Sequence, residues 1–219
     1  VAIDLSGMGD SEHRQTYSQT LYGEEIKAVC DDMNWDSADF LAHSMAGPIS
    51  VKAASTYPEL FKSLFLLDSI IIVPPDKARS FSGRGSMIRT DFVYEDLESA
   101  VKSFRLIPPQ PSRHDFLLKH IALNSFKETE AGWILKSDGL IMKTYQYEDL
   151  TDTFMNLKCP IYLVYGLMSQ IFSQEILDYT KYVGNLSEEA VIGIPGAMHH
   201  LFIDEPIVFV EEIKKLLKK

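Results

Sequence analysis

Apolar residues along this 219-residue chain alternate between two patterns. Leu64-Phe65-Leu66-Leu67, Pro160-Ile161-Tyr162-Leu163-Val164-Tyr165 and Ala190-Val191-Ile192-Gly193-Ile194 are continuous apolar runs. Runs of that length, bounded by turn or acidic residues, read as strands buried on both faces. Val1 to Leu5 reads as one more strand, entering the turn-rich loop Ser6-Gly7-Met8-Gly9-Asp10-Ser11. Helical spacing covers Ser18 to Met33, where Leu21, Ile26, Val29, Cys30 and Met33 are apolar, and then Ser173 to Tyr182 and Pro206 to Leu217. The last of these helices ends among Lys214, Lys215, Lys218 and Lys219, where cations favour the helix dipole. Strands alternating with helices predict an α/β protein with a doubly wound, mostly parallel sheet.

The stretch from Ile71 to Asn156 breaks that rhythm. Pro74-Pro75 is followed by a segment, Ser80 to Ser86, that contains two glycines. Helical patterns at Asp91 to Phe104 and His114 to Phe126 are separated by Pro108, Pro109 and Pro111. Gly132-Trp133-Ile134-Leu135 reads as a short extended piece. The expected organisation is a core over residues 1–70, a mostly helical insert over 71–156, and the rest of the core over 157–219.

One junction carries candidate chemistry. The strand-like Ala38-Asp39-Phe40-Leu41-Ala42-His43 stops at Ser44, and a helix-compatible segment runs from Pro48 to Tyr57. Pro48 fits the first helical turn, where its missing N–H costs little. A sharp strand-to-helix turn lifts a serine hydroxyl clear of the sheet, and Ala42 and Ala46 are small where strand and helix must approach closely. A serine hydroxyl needs a base within hydrogen-bond reach, and the base needs an orienting acid. His43 is a poor candidate for the base, because adjacent side chains at a sharp turn diverge. The loop Pro195-Gly196-Ala197-Met198-His199-His200, between the last strand and the last helix, offers His199 and His200. Such loops at strand C-terminal ends converge on the site in parallel α/β sheets.

Composition narrows the function classes. A net charge of −10 argues against nucleic acid as a partner. The longest apolar stretch, around Leu64 to Val73, is interrupted by Asp68 and Ser69, so no membrane span is expected. Cys30 and Cys159 are far apart and lack metal-ligand spacing, which fits reduced thiols in a cytoplasmic protein. His114 and His120 lie six positions apart, a spacing that does not put them on one helix face for a metal. Glu95, Asp96 and Glu98 read as a solvated helix face.

Together these segments resemble the α/β-hydrolase family. Ala42-His43-Ser44-Met45-Ala46 is similar to its nucleophile elbow, G-x-S-x-G, with both outer glycines replaced by alanine. Asp4-Leu5-Ser6-Gly7-Met8-Gly9-Asp10-Ser11 resembles its D-L-x-G-x-G-x-S loop, and His199 to Pro206 its terminal H-x-x-x-x-[DE]-x-P segment. The resemblance implies Ser44 as nucleophile, His199 rather than His200 as base, and the backbone N–H of Met45 as one oxyanion donor. The usual acid position, in a G-x-x-D pattern after the strand that follows the insert, holds Ser169 here, and the nearest acid, Glu175, falls in a helix. A minority of the family places the acid one strand earlier, which implies Asp68.

The insert sits where the family carries its cap domain. Phe81, Phe92, Phe104, Phe116 and Trp133 there either line an apolar pocket or form the insert's own core. The chain opens on a strand without an initiator methionine, so the family's first strands and second oxyanion donor are expected upstream of Val1. The elbow strand is then expected at a gap or rearranged edge of the sheet, and the chain alone to be poorly active and poorly soluble. The resulting expectation is a serine hydrolase that cleaves a small carboxylic ester through Ser44, His199 and Asp68, with no cofactor and no metal. The alternatives are a non-catalytic ligand-binding member of the fold, or a C–C bond hydrolase or lactonase.

Overall fold

The computed structural model describes residues 1–77, 92–145 and 148–218. The chain forms two compact units, one of Val1–Ser18 with Ser80–Gln146, the other of Gln19–Arg79 with Tyr147–Lys219.

The second unit holds the parallel sheet. In chain order it contains α1 (Gln19–Asp32), β1 (Ala38–His43), α2 (Ala46–Thr56) and β2 (Phe61–Leu67). The first unit supplies β3 (Val93–Tyr94), α3 (Leu97–Ser103), α4 (Asp115–Asn124), β4 (Phe126–Thr129), β5 (Gly132–Leu135) and α5 (Leu140–Thr144). The chain then returns through α6 (Thr151–Met155), β6 (Ile161–Gly166), α7 (Gln174–Gly184), β7 (Val191–Ile194), α8 (Leu201–Asp204) and α9 (Pro206–Leu216). The sheet order is β1-β2-β6-β7 with every pairing parallel, and β1 is an edge strand among the described residues. This is an α/β architecture built on a parallel sheet.

The continuous apolar runs become strands because both of their faces are covered. Leu64, Phe65, Leu66, Leu163 and Val164 are fully buried. Phe65, Leu67, Val164 and Ile194 pack against Leu201 of α8 and Phe209, Ile213 and Leu216 of α9. α1 packs on α2, with Gly23 in ordinary contact distance of Ala53. Parallel pairing aligns His43 with Leu67, Leu67 with Val164, and Gly166 with Ile194. The C-terminal ends of all four strands therefore share one edge of the sheet.

Several elements depart from the sequence expectation. Val1–Leu5 is not a strand. Its polar groups serve its own loop: Asp10 N–H donates to the Asp4 carboxylate at 3.2 Å and the Ser11 hydroxyl to the Asp4 carbonyl at 2.5 Å. The helix expected from Asp91 starts only at Leu97, because the Asp96 carboxylate caps it by accepting the Ser99 N–H at 2.7 Å. The residues before it form β3 instead. The helix expected to reach Phe126 stops at Asn124, and Phe126 pairs with Leu135 across the β4–β5 hairpin. The insert thus carries a three-stranded antiparallel sheet, β3-β5-β4, beside its helices.

The expected aromatic residues of the insert divide. Phe104 and Tyr94 both pack edge-on against the buried Phe126, while Phe116 is 70% exposed. Phe81, the Ser80 to Ser86 stretch and Asp91 lie outside the described residues. Within the same unit, buried Tyr17 donates its hydroxyl to Asp138 at 2.6 Å and its N–H to the Thr144 hydroxyl at 3.1 Å, and Asp138 N–H donates to the Gly7 carbonyl.

Gly166 closes β6 in a space with no room for a side chain. A Cβ there would lie 2.3 Å from the Met198 carbonyl oxygen and 2.4 Å from that of Ala197. Both are backbone atoms, which cannot rotate away. Gly166→Ala should lower stability by about 1–3 kcal/mol, read as a lower urea midpoint at unchanged m-value; an unchanged midpoint would refute the close approach.

Candidate active site

The site is built on the strand ends of the parallel sheet. Ser44 follows β1 directly and has φ 53°, a left-handed backbone that costs a residue with a Cβ about 1–2 kcal/mol. The surroundings hold it there. Ser44 N–H donates to the Leu67 carbonyl at 3.1 Å, and the Ser44 carbonyl accepts from Gly47 N–H at 3.0 Å and from the Ser69 hydroxyl at 2.5 Å. Met45 is the N-cap of α2, so its N–H is among the donors that a helix N-terminus leaves without an intrahelical partner.

His199 approaches from the loop after β7. Its Nε2 lies 3.0 Å from Ser44 Oγ, and its side chain is almost fully buried. The loop is anchored by Asp204, the acid of the terminal motif, whose carboxylate accepts the Met198 N–H at 2.7 Å. The His200 ring lies edge-on to that of His199, with centroids 4.9 Å apart.

Asp68 follows β2 directly, again with a left-handed backbone, φ 44°. Aspartate tolerates that conformation better than most residues do. Its carboxylate is fully buried, and Oδ1 lies 3.6 Å from His199 Nδ1. That is ion-pair range, longer than a hydrogen bond. Two donors orient the carboxylate: the Ser169 hydroxyl to Oδ1 at 2.9 Å and the Gly166 N–H to Oδ2 at 3.3 Å. Ser169, at the family's usual acid position, thus supplies a hydroxyl to Asp68. Glu175 instead pairs with Lys77.

Ser44, His199 and Asp68 are therefore brought together, with Met45 N–H beside the serine. Three further residues bear on the site. Ser69 and Ser169 carried no signal beyond their neighbourhood to Asp68 and Gly166. His43, set aside as a base, does not serve as one: its Nε2 contacts the His199 carbonyl oxygen at 2.9 Å.

Among the described residues no group of His, Cys, Asp and Glu is arranged to hold a metal, and no helix is long and apolar enough to cross a membrane. Both cysteines are free. A cavity of about 360 Å³ lined by Phe154, Cys159, Pro160 and Asn185 lies at the start of β6, the opposite end of that strand from Asp68 and His199.

His43 is strongly shifted. Burial, reinforced by the nearby His199 and only partly opposed by the hydrogen bond to its carbonyl, lowers the imidazole to about 4 from its ordinary 6.5. The unfolded chain therefore binds a proton between pH 6.5 and 4 that the folded chain refuses. Stability from this group is full above pH 6.5 and falls as pH drops towards 4. His43→Gln should make that acid-side loss shallower by on the order of 2–3 kcal/mol, measured as unfolding free energy against pH; parallel curves for the two proteins would refute it.

A family model described as alpha/beta hydrolase fold matches residues 1–206. The chain is 25% identical over 223 residues to the pimeloyl-[acyl-carrier protein] methyl ester esterase of Wigglesworthia glossinidia brevipalpis, covering 99% of this chain and 82% of that protein. It is 28% identical to a serine hydrolase-like protein of Danio rerio, but over only 47% of this chain and 32% of that protein. Among solved structures, E-2-(acetamidomethylene)succinate hydrolase superposes with a TM-score of 0.82 at 20% identity, covering 98% of this chain and 80% of the other. An esterase from Mycobacterium tuberculosis does so with a TM-score of 0.81 at 20% identity, covering 100% and 74%.

Proposed function

This chain belongs to the α/β-hydrolase fold family, and we propose that within it the chain is a serine hydrolase that cleaves a small carboxylic ester through an acyl-enzyme. The observation that carries this reading is the 3.0 Å approach of His199 Nε2 to Ser44 Oγ at the tip of a strained strand-to-helix turn. Relatives named as a methyl ester esterase and as a hydrolase support acyl chemistry at such a site.

In this reaction His199 Nε2 takes the Ser44 proton as Oγ attacks the ester carbonyl carbon. The oxyanion that forms faces the Met45 N–H, at the positive end of α2. His199, now an imidazolium, turns its Nδ1–H towards Asp68, whose buried carboxylate stabilises the charge. The 3.6 Å separation shortens as that charge develops, since such contacts tighten in the reacting complex. The tetrahedral species collapses, the acyl–alkoxy bond breaks, and His199 gives its proton to the departing alcohol. A water then attacks the acyl-enzyme with His199 as base, releasing the acid and restoring Ser44. The substrate is a small molecule.

A fluorophosphonate probe tests the nucleophile. The wild-type protein should be labelled at Ser44, with labelling abolished in Ser44→Ala and nearly so in His199→Ala. An unlabelled wild type would overturn the reading and favour a ligand-binding member of the family. For the acid, Asp68→Asn should lower kcat for p-nitrophenyl acetate by about 10²–10⁴. Full activity in that variant would remove Asp68 from the mechanism.

A further inference from the structure

We propose that His43, the residue before the nucleophile, is a positioning residue that holds the base: its Nε2–H donates to the backbone carbonyl of His199 and so fixes the His199 ring against Ser44. The inference rests on the reading of Ser44 and His199 as nucleophile and base.

Hydrogen-bond chemistry settles the direction of this contact. A carbonyl oxygen only accepts, so a ring nitrogen 2.9 Å from it must carry the proton. His43 is therefore the Nε2–H tautomer. Burial among His199, His200 and Phe202 keeps the ring neutral over the range in which a serine hydrolase works. A permanently neutral donor holds the carbonyl without adding a positive charge beside the imidazolium that His199 must become.

The contact closes a small circuit. His43 is the last residue of β1, and Ser44 follows it directly. His43 reaches the His199 main chain, and the His199 ring returns to Ser44 Oγ at 3.0 Å. The two rings lie against each other, centroids 4.6 Å apart and tilted by 39°. On the N-terminal side the loop is held by Asp204 through Met198 N–H. The main chain is thus fastened on both sides of the base. Without the His43 donor, the Ser44 to His199 distance depends on the packing of a loop. A misplacement of about 1 Å between reacting groups can cost on the order of 100-fold in rate.

The test separates the donor from the bulk of the ring. His43→Gln keeps an amide N–H at comparable reach, and His43→Met keeps similar volume without a donor. Rates of fluorophosphonate labelling and kcat for p-nitrophenyl acetate should fall about 10- to 100-fold in His43→Met, with KM changed less than about twofold. His43→Gln should stay within about threefold of wild type. A Met variant as fast as wild type overturns the role, and so does equal impairment of both variants, which would indicate packing alone. An unlabelled wild type would overturn the hydrolase reading and this role with it, whereas a labelled wild type with an unimpaired Met variant overturns this role alone. Should the Met variant fail to fold, the unmodified chain still decides. Long-range ¹H–¹⁵N spectra should show His43 as the Nε2–H tautomer at neutral pH, and an Nδ1–H tautomer would exclude the donation.

Discussion

The arrangement depends on one residue held in a backbone conformation it does not prefer. Ser44 sits at φ 53° between β1 and α2. A serine there would relax if the turn were free, since local strain of about 1–3 kcal/mol persists only where surroundings over-determine it. Here β2 does most of the holding. Leu67 accepts the Ser44 N–H and Ser69 donates to the Ser44 carbonyl, and these two residues flank Asp68. The end of one strand thus fixes the serine backbone and presents the buried carboxylate in the same three residues. That economy follows from parallel pairing, which sets His43 beside Leu67.

The same geometry explains how His199 can reach Ser44 from so far along the chain. Strands that run parallel finish on one edge, so the loop after β7 and the turn after β1 meet there although the residues involved are 155 positions apart. A loop is a soft support for a group that must stand within hydrogen-bond reach of its partner. Asp204 stiffens the loop from its own side, and His43 fastens it to β1. The buried polar groups here are nearly all paired, as low-dielectric surroundings require. His199 Nδ1 makes no hydrogen bond and is set 3.6 Å from a carboxylate that would face it once it carries charge.

The core elements were legible because they are long and periodic. Continuous apolar runs at β2, β6 and β7 announced strands covered on both faces, and the helical spacing of α1, α7 and α9 predicted helices within a residue or two of their observed bounds. The insert was harder. β3 is two residues long and β4 and β5 four each, too short for a period of two to stand out from background. An antiparallel pair is recognisable mainly by its partner, and here the helical patterns on either side ran over the boundary. Asp96 shows how a local signal can still decide: its capping hydrogen bond set the start of α3 against the longer helical pattern. Val1–Leu5 failed in the other direction, because an apolar run forms a strand only where a neighbouring strand takes its hydrogen bonds.

The sequence by itself determined the fold, the strand-to-helix turn that presents Ser44, and the terminal motif that singles out His199. Those features are local: a hydrophobic period, small residues around a turn, and a fixed spacing from His199 to Pro206. Only the tertiary structure decided what surrounds them. It put Asp68 rather than Glu175 near His199, turned Ser169 into a donor to that carboxylate, and aimed His43 at the His199 carbonyl. These contacts span 101 to 156 positions of sequence. The physical reason is register: which side chains meet across parallel strands depends on how far each strand slides along its neighbour, and no single segment contains that information.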